Sequence, residues 1–417
     1  MAKQVVIIGG GIMGLSCAYY LKKEGHQVTV LDQSSMDGGA SYVNAGYLTP
    51  SHIIPLAAPG MMTKGLKWMF NSSSPFYMKP RLEADFLKWA WQFHKSSTPE
   101  KVKKAIPLIA EINVLSKELY QEMHASGDLG DFQLVKEGLL MLFKSEEAGQ
   151  GELKVMHQAK DLGLEARELS REALSELQPG LNPEIKGAIH YECDAHTTPT
   201  QIMKRLKEYL QSQGVEIHTQ TEVRGFSSQG RALTGVRTNQ GDFAAEEVVL
   251  AAGAWSPLLA RELGLKLSLQ AGKGYRIDLY RPTPIRLPAI LMEAKVAVTP
   301  MDGFTRLAGT MELSGINHEI RRNRVAAIAR LAEKYYEGFE VRPEEEAQAA
   351  CGLRPVTPDG LPYIGRVSNW SNLSLATGHA MMGWSLGPVT GKLISELISG
   401  RPASLSLGAL SPERRFT

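Results

Sequence analysis

The sequence predicts an α/β chain whose N-terminal part is a Rossmann-like dinucleotide-binding unit, and three observations carry that expectation. Val5-Val6-Ile7-Ile8 is a short apolar run of the kind that forms a buried parallel strand. Gly9-Gly10-Gly11-Ile12-Met13-Gly14 follows at once and matches GxGxxG through Gly9, Gly11 and Gly14. A helical period then runs through Leu15, Ala18, Tyr19 and Leu21 to Gly25, and a second apolar run ends at Asp32, 18 residues beyond Gly14.

Each element has a physical reason. Gly9 permits a tight turn, Gly11 lets the backbone approach a pyrophosphate, and Gly14 lets helix and strand pack closely. The helix start at Ile12 and Met13 offers free N–H groups and the positive end of its dipole to phosphate. Asp32 is placed to accept from a ribose 2′-OH and to disfavour a 2′-phosphate. This unit alone leaves NAD and FAD open.

Composition narrows the function classes. The 417 residues suggest two or three domains. With 43% apolar and 22% charged residues the chain suits a globular enzyme. Lys plus Arg (46) against Asp plus Glu (44) leaves +2 with no basic block, so nucleic acid is not an expected partner. Cys17, Cys193 and Cys351 are far apart and odd in number, which fits a reducing compartment and a cytoplasmic location. The ten histidines show no ligand spacing, so no metal is expected. No apolar stretch reaches the ~20 residues of a spanning helix, and no secretory signal precedes Val5.

Three later segments decide between the dinucleotides. Gly38-Gly39-Ala40-Ser41-Tyr42-Val43-Asn44-Ala45-Gly46 is a dense run of small residues that follows Asp32-Gln33. The block from Thr200 to Gly264 reads as a helix, a β-meander around Asn239-Gln240-Gly241-Asp242 and an apolar strand over Phe243–Ala251, closing at Ala252-Gly253-Ala254-Trp255-Ser256. Near the C-terminus come Gly352-Leu353-Arg354-Pro355-Val356-Thr357-Pro358-Asp359-Gly360 and Ala376-Thr377-Gly378-His379, with Gly383-Trp384 and a helix from about Pro388 to Gly400.

In this order, from Gly9 to Gly391, these motifs resemble the D-amino-acid oxidase/glycine oxidase superfamily of FAD enzymes. Gly309-Thr310-Met311-Glu312-Leu313-Ser314-Gly315 and the long stretch after Ile54 are most similar to bacterial D-amino-acid dehydrogenases of the small-subunit type. The resemblance implies a glutathione-reductase-type FAD lobe from 1–56, 162–264 and 352–417. It also implies an α+β substrate lobe with a mixed or antiparallel sheet from 57–161 and 265–351, including an amphipathic helix near Arg321–Tyr336. FAD contacts are implied for Gly9, Gly11, Ile12, Met13, Gly14, Asp32 and Gln33; for Ser41, Asn44, Ala45, Gly46 and Tyr47; and for Val223, Gly253, Gly378, Gly383 and Trp384.

The implied reaction is oxidative deamination of a D-amino acid. Hydride passes from Cα to flavin N5, water hydrolyses the imino acid to a keto acid, and the electrons go to a quinone-type acceptor or dye. Hydroxy-D-proline dehydrogenase and oxygen-using glycine or sarcosine oxidation are the alternatives. Arg354 takes the position of the carboxylate-binding arginine. Tyr275 in Gly272-Lys273-Gly274-Tyr275 either supports that carboxylate or packs in a strand. His379 either polarises the flavin or contacts substrate, or is structural. Cys351 lies one residue out of register with the cysteine that tethers flavin in related amine oxidases, which implies non-covalent FAD. The aromatic stretch from Trp68 to Phe93, with Trp89 and Trp91, either lies on a membrane surface at the inner face or covers the substrate as part of a helical lobe. The sequence assigns no oligomeric state.

Overall fold

The computed structural model describes residues 1–60, 76–79 and 81–416. Leu66–Phe70, Trp68 among them, and Ser74–Pro75 of the aromatic insertion lie outside the described residues.

A six-stranded sheet orders Glu216–His218, Gln27–Leu31, Gln4–Ile8, Glu247–Leu250, Leu373–Thr377 and Tyr363–Arg366. The first five are mutually parallel and the last is antiparallel. Ile8 stands opposite both Leu31 and Leu250, so the chain leaves three neighbouring strands at one level and the following loops converge there. That carboxyl edge is where a doubly wound sheet takes its ligand. Helix Ile12–Lys23 covers one face with Leu15, Ala18, Tyr19 and Leu21 all buried. It packs backbone-close to helix Gly387–Ile398, where a Cβ on Gly391 would strike the Ser16 backbone. The meander Val223–Gln229, Ala232–Thr238 and Gly241–Ala244 flanks the sheet.

The strand expected over Phe243–Ala251 divides in two. Gly241–Ala244 belongs to the meander and Glu247–Leu250 to the parallel sheet. The chain changes sheets at Ala245, whose N–H donates to the Thr234 carbonyl, and Glu246, whose N–H donates to that of Gln4. A continuous apolar pattern cannot reveal such a change of partner.

The second sheet runs Ala350–Val356, Gln270–Leu279, Phe304–Leu313, Val296–Met301, Ala289–Leu291, Leu139–Phe143, Gly187–Tyr191 and Arg167–Leu169, with Phe76–Met78 pairing beside Phe304–Leu313. Two of its pairings are parallel and the others antiparallel, so the sheet is mixed. Helix Arg322–Glu333 packs on it through Val325, Ile328 and Ala332. Hydrogen bonding puts Arg167–Leu169 and Gly187–Tyr191 in this sheet, although both fall inside the 162–264 segment expected in the FAD lobe. Ala350–Val356, which straddles the expected boundary at 352, is its edge strand. These memberships come from pairings between separated stretches of chain, Leu139–Phe143 with Gly187–Tyr191 and Gln270–Leu279 with Ala350–Val356, and local pattern carries no trace of them.

Candidate active site

A continuous cavity of about 740 Å³ opens along the carboxyl edge of the parallel sheet and extends to the edge strand of the mixed sheet. Its glycine-turn end is built as the spacing requires. Gly9 has φ +110°, and a Cβ there would meet the Ala251 carbonyl. A Cβ on Gly14 would run into the Gly9 carbonyl, so this glycine serves helix–strand contact and does not itself border the cavity.

Asp32 is anchored before any ligand arrives. Its Oδ2 accepts from the Gly10 N–H (2.7 Å), and its Oδ1 accepts from the Ser34 N–H (2.8 Å) and hydroxyl (2.6 Å). An ionised carboxylate has about four acceptor positions, so roughly one remains for a ribose hydroxyl. Ser41 leans over the helix start, its Oγ accepting from the Ile12 N–H at 3.0 Å. Gln33, Met13, Asn44, Val223, Gly253 and Gly383 also border the cavity.

The donor set and the missing Cβ atoms fit FAD. Gly352 adds to the cradle, since a Cβ there would strike Ala40 and Val43 of the glycine loop. His379 supplies a second sign of fit. Its Nε2 lies 2.9 Å from the Thr390 hydroxyl, which itself donates to the Leu386 carbonyl (2.7 Å). The histidine therefore carries its proton on Nε2. Its Nδ1 is then a buried acceptor without a partner among the described residues, in a residue that borders the cavity. Burial pushes this imidazole down to about 3, so it is neutral and cannot act as a cation toward flavin or substrate.

Besides Gly14, four of the expected cofactor contacts lie behind the cavity wall. Tyr47 turns into the mixed sheet and donates to the carbonyls of Ala289 (2.9 Å) and Val298 (2.8 Å). The Ala45 carbonyl accepts from the Thr299 hydroxyl, and the Gly46 carbonyl from the Thr197 hydroxyl. Gly378, at φ +83°, packs on Thr357 and Tyr363. They hold the loops that carry Asn44 and His379. Trp384 borders the cavity while its indole N–H donates to Thr197.

Arg354 stands apart electrostatically. Its guanidinium makes one hydrogen bond, from Nη1 to the Thr310 carbonyl (3.0 Å), and among the described residues no acid pairs with it. Burial pushes it down to about 10, so it stays charged at neutral pH. A half-buried cation of this kind, bordering a cavity, has donors available to an anion. Val356, two residues along the same strand, and Met311, on the second strand over, meet above Gly272 in a buried apolar cluster next to this part of the site. Trp89 from helix Ala84–Ser96 joins that cluster, its indole N–H donating to the Val356 carbonyl (2.9 Å).

Tyr275 is a correction. Its hydroxyl donates to Glu312 Oε2 (2.7 Å) within a buried network that includes Lys273, Arg321 and Arg324. Burial tends to raise the Glu312 carboxyl, but donors from Ser314 and Tyr275 and the charges of Lys273 and Arg321 hold it low. The phenol is thus committed to a carboxylate of the protein. The Lys273-Gly274-Tyr275 segment does reach the cavity, but through Gly274. Cys351 also turns from the cavity, its thiol donating to the His318 carbonyl. Sequence reasoning missed Gly10, Met36, His318 and Gly274 as lining. The close packing of Met36 on Gly10 and of His318 on Trp255 (5.9 Å between rings) has no local signature.

Comparison with known proteins agrees with this geometry. The family model described as FAD dependent oxidoreductase (DAO) matches residues 4–397. A D-amino acid dehydrogenase of Helicobacter pylori is 32% identical over 399 residues, covering 95% of each chain. One from Neisseria meningitidis serogroup C / serotype 2a is 31% identical over 422 residues, covering 99% of each. Among solved structures, glycine oxidase from Geobacillus kaustophilus superposes with TM-score 0.79 at 23% identity over 99% of this chain and 100% of that one. L-proline dehydrogenase from P. horikoshii gives 0.75 at 19%, over 99% and 97%. At these identities the structures speak for the fold.

Proposed function

The chain belongs to the DAO family of FAD-dependent oxidoreductases, and on that premise we propose that it oxidatively deaminates D-amino acids as a dehydrogenase. The observation that carries the reading is Arg354, a charged guanidinium in the cofactor cavity with no acidic partner. Four of its five N–H donors remain after the bond to Thr310, enough for a bidentate grip on an α-carboxylate. FAD, when bound, supplies the acceptor for the hydride that leaves Cα. The protein orients the substrate: Arg354 fixes the carboxylate, and apolar cavity lining such as Trp255 and Pro355 takes a nonpolar side chain and keeps water from the reacting carbon.

Proton handling follows from His379. Being neutral, with Nε2 spent on Thr390, it is a poor base, so the amine must arrive unprotonated. Dependence of kcat/KM on pH then follows the ammonium group of the substrate. Loss of the hydride leaves an imino acid, which water converts to the keto acid and ammonia.

The electrons pass on to a quinone-type acceptor, a reading supported by the dehydrogenase names of the relatives. We place the enzyme in the cytoplasm, in keeping with three buried, unpaired cysteines, and at the inner membrane face. Among the described residues no helix is long and apolar enough to cross a membrane. Leu87 and Trp91 on the outer face of helix Ala84–Ser96, with Lys95 over the Trp91 ring (4.4 Å), offer an amphipathic surface for peripheral contact. A panel of D-, L- and N-alkyl amino acids, mixed anaerobically with the yellow holoenzyme, tests the substrate class. Fastest bleaching by nonpolar D-amino acids supports it, and fastest bleaching by glycine or sarcosine refutes it. Reoxidation by a quinone analogue against oxygen tests the acceptor.

A further inference from the structure

We infer that Gly274 and Thr310 are positioning residues that form a seat for the Arg354 guanidinium; the inference rests on the reading of Arg354 as the carboxylate site. The three residues sit on adjacent strands. Lys273 pairs with Glu312 but Tyr275 pairs with Gly309, so the single residue Gly274 faces two, Thr310 and Met311. This is a β-bulge, a device that re-aims backbone groups beside active sites. Thr310 within it has φ +66°, a left-handed conformation that β-branched residues rarely adopt. Its hydroxyl is buried without a partner, so its own side chain does nothing to compensate the strain. What the conformation accomplishes is to point the Thr310 carbonyl at Arg354 Nη1.

Gly274 supplies the floor. It lies opposite Gly352, two residues from Arg354, and a Cβ on it would overlap the guanidinium, reaching within 2.5 Å of Cζ. Its φ lies outside the left-handed region, so backbone conformation does not demand glycine here. The space above it is what matters. The obstructing atoms are the far end of a flexible side chain, so an added methyl group displaces Arg354 and leaves the fold alone. Holding the cation with a carbonyl and a flat floor, with no acid, keeps its charge and fork for the substrate.

Gly274→Ala tests the seat in the holoenzyme, with propionate as a competitive carboxylate probe. The expected result is a KM for the amino acid and an inhibition constant for propionate both raised about 10-fold or more, with FAD content and Tm unchanged. Combining it with Arg354→Lys should add little to the Arg354→Lys effect, because both act through one group. Thr310→Gly relieves strain and loosens the aim, so Tm rises while KM worsens by a smaller factor, about 2–5-fold. Unchanged KM and inhibition in Gly274→Ala, full additivity, or failure of this variant to fold overturns the seat. If Arg354→Lys itself leaves KM and inhibition unchanged, the carboxylate reading fails instead.

Discussion

Arg306 and Arg354 lie on neighbouring regions of one sheet and are opposites in their partners. Arg306 is fully buried, with Nε and Nη2 donating to the two oxygens of Asp278 (2.7 and 2.9 Å) and Nη1 to the carbonyls of Tyr42 and Asn44 (2.7 Å each). Four of its five N–H donors are used, and its work is to clamp the glycine loop against the mixed sheet. Arg354 gives one bond to a carbonyl and faces a cavity. A buried charge with four donors committed and an acid beside it is architecture, and one with four donors to spare is available to a ligand.

The contrast is broken most severely at Arg306. Arg306→Met leaves the buried Asp278 with Arg276 as its remaining cationic partner, deprives the Tyr42 and Asn44 carbonyls of their donor, and should cost about 3 kcal/mol. Thermal unfolding and flavin content both fall, while KM of the surviving holoenzyme stays near the wild-type value. Arg354→Ala gives the reverse pattern. Losing two charge-assisted hydrogen bonds to substrate should lower kcat/KM about 10²–10³-fold, with flavin spectrum and Tm retained. A stability loss at Arg354 equal to that at Arg306 would erase the distinction.

Asp194 extends the comparison to an acid. It is buried and accepts from the Ser51 N–H (3.0 Å) and hydroxyl (2.5 Å), yet burial pushes its carboxyl from 3.8 up to about 7. The folded state thus keeps a proton that the unfolded chain releases near 3.8. Its contribution is fully present below that pH and is lost as pH rises through about 7. The decline should amount to something on the order of 4 kcal/mol. Denaturant midpoints of Asp194→Asn should show a flatter slope between these limits, and a slope identical to wild type would exclude Asp194 as its source. The smallest effect belongs to Tyr275→Phe, about 1 kcal/mol in stability with substrate KM unchanged. A severalfold rise in KM would return the phenol to the site.

That last pair of residues shows what a sequence can and cannot convey here. The glycine turn, its helix and Asp32 are local in the chain, so spacing alone located them and the cavity end they build. Arg354 was legible through its motif. Tyr275 and Gly274 are adjacent, and alternation along a strand sends them to opposite faces; the segment was recognised and the wrong member of it chosen. The bulge at Thr310 exists only in the register between two strands. Lobe boundaries likewise depended on Arg167–Leu169 and Gly187–Tyr191 finding a sheet far along the chain.

The central claim is that an unpaired guanidinium selects an α-carboxylate for oxidation at the flavin. It is tested most directly by anaerobic stopped-flow bleaching of the holoenzyme with a nonpolar D-amino acid and with the amine that lacks only its carboxyl group. The account predicts rapid, saturable bleaching by the amino acid and a rate lower by about two orders of magnitude or more with the amine. Equal bleaching by both would contradict it.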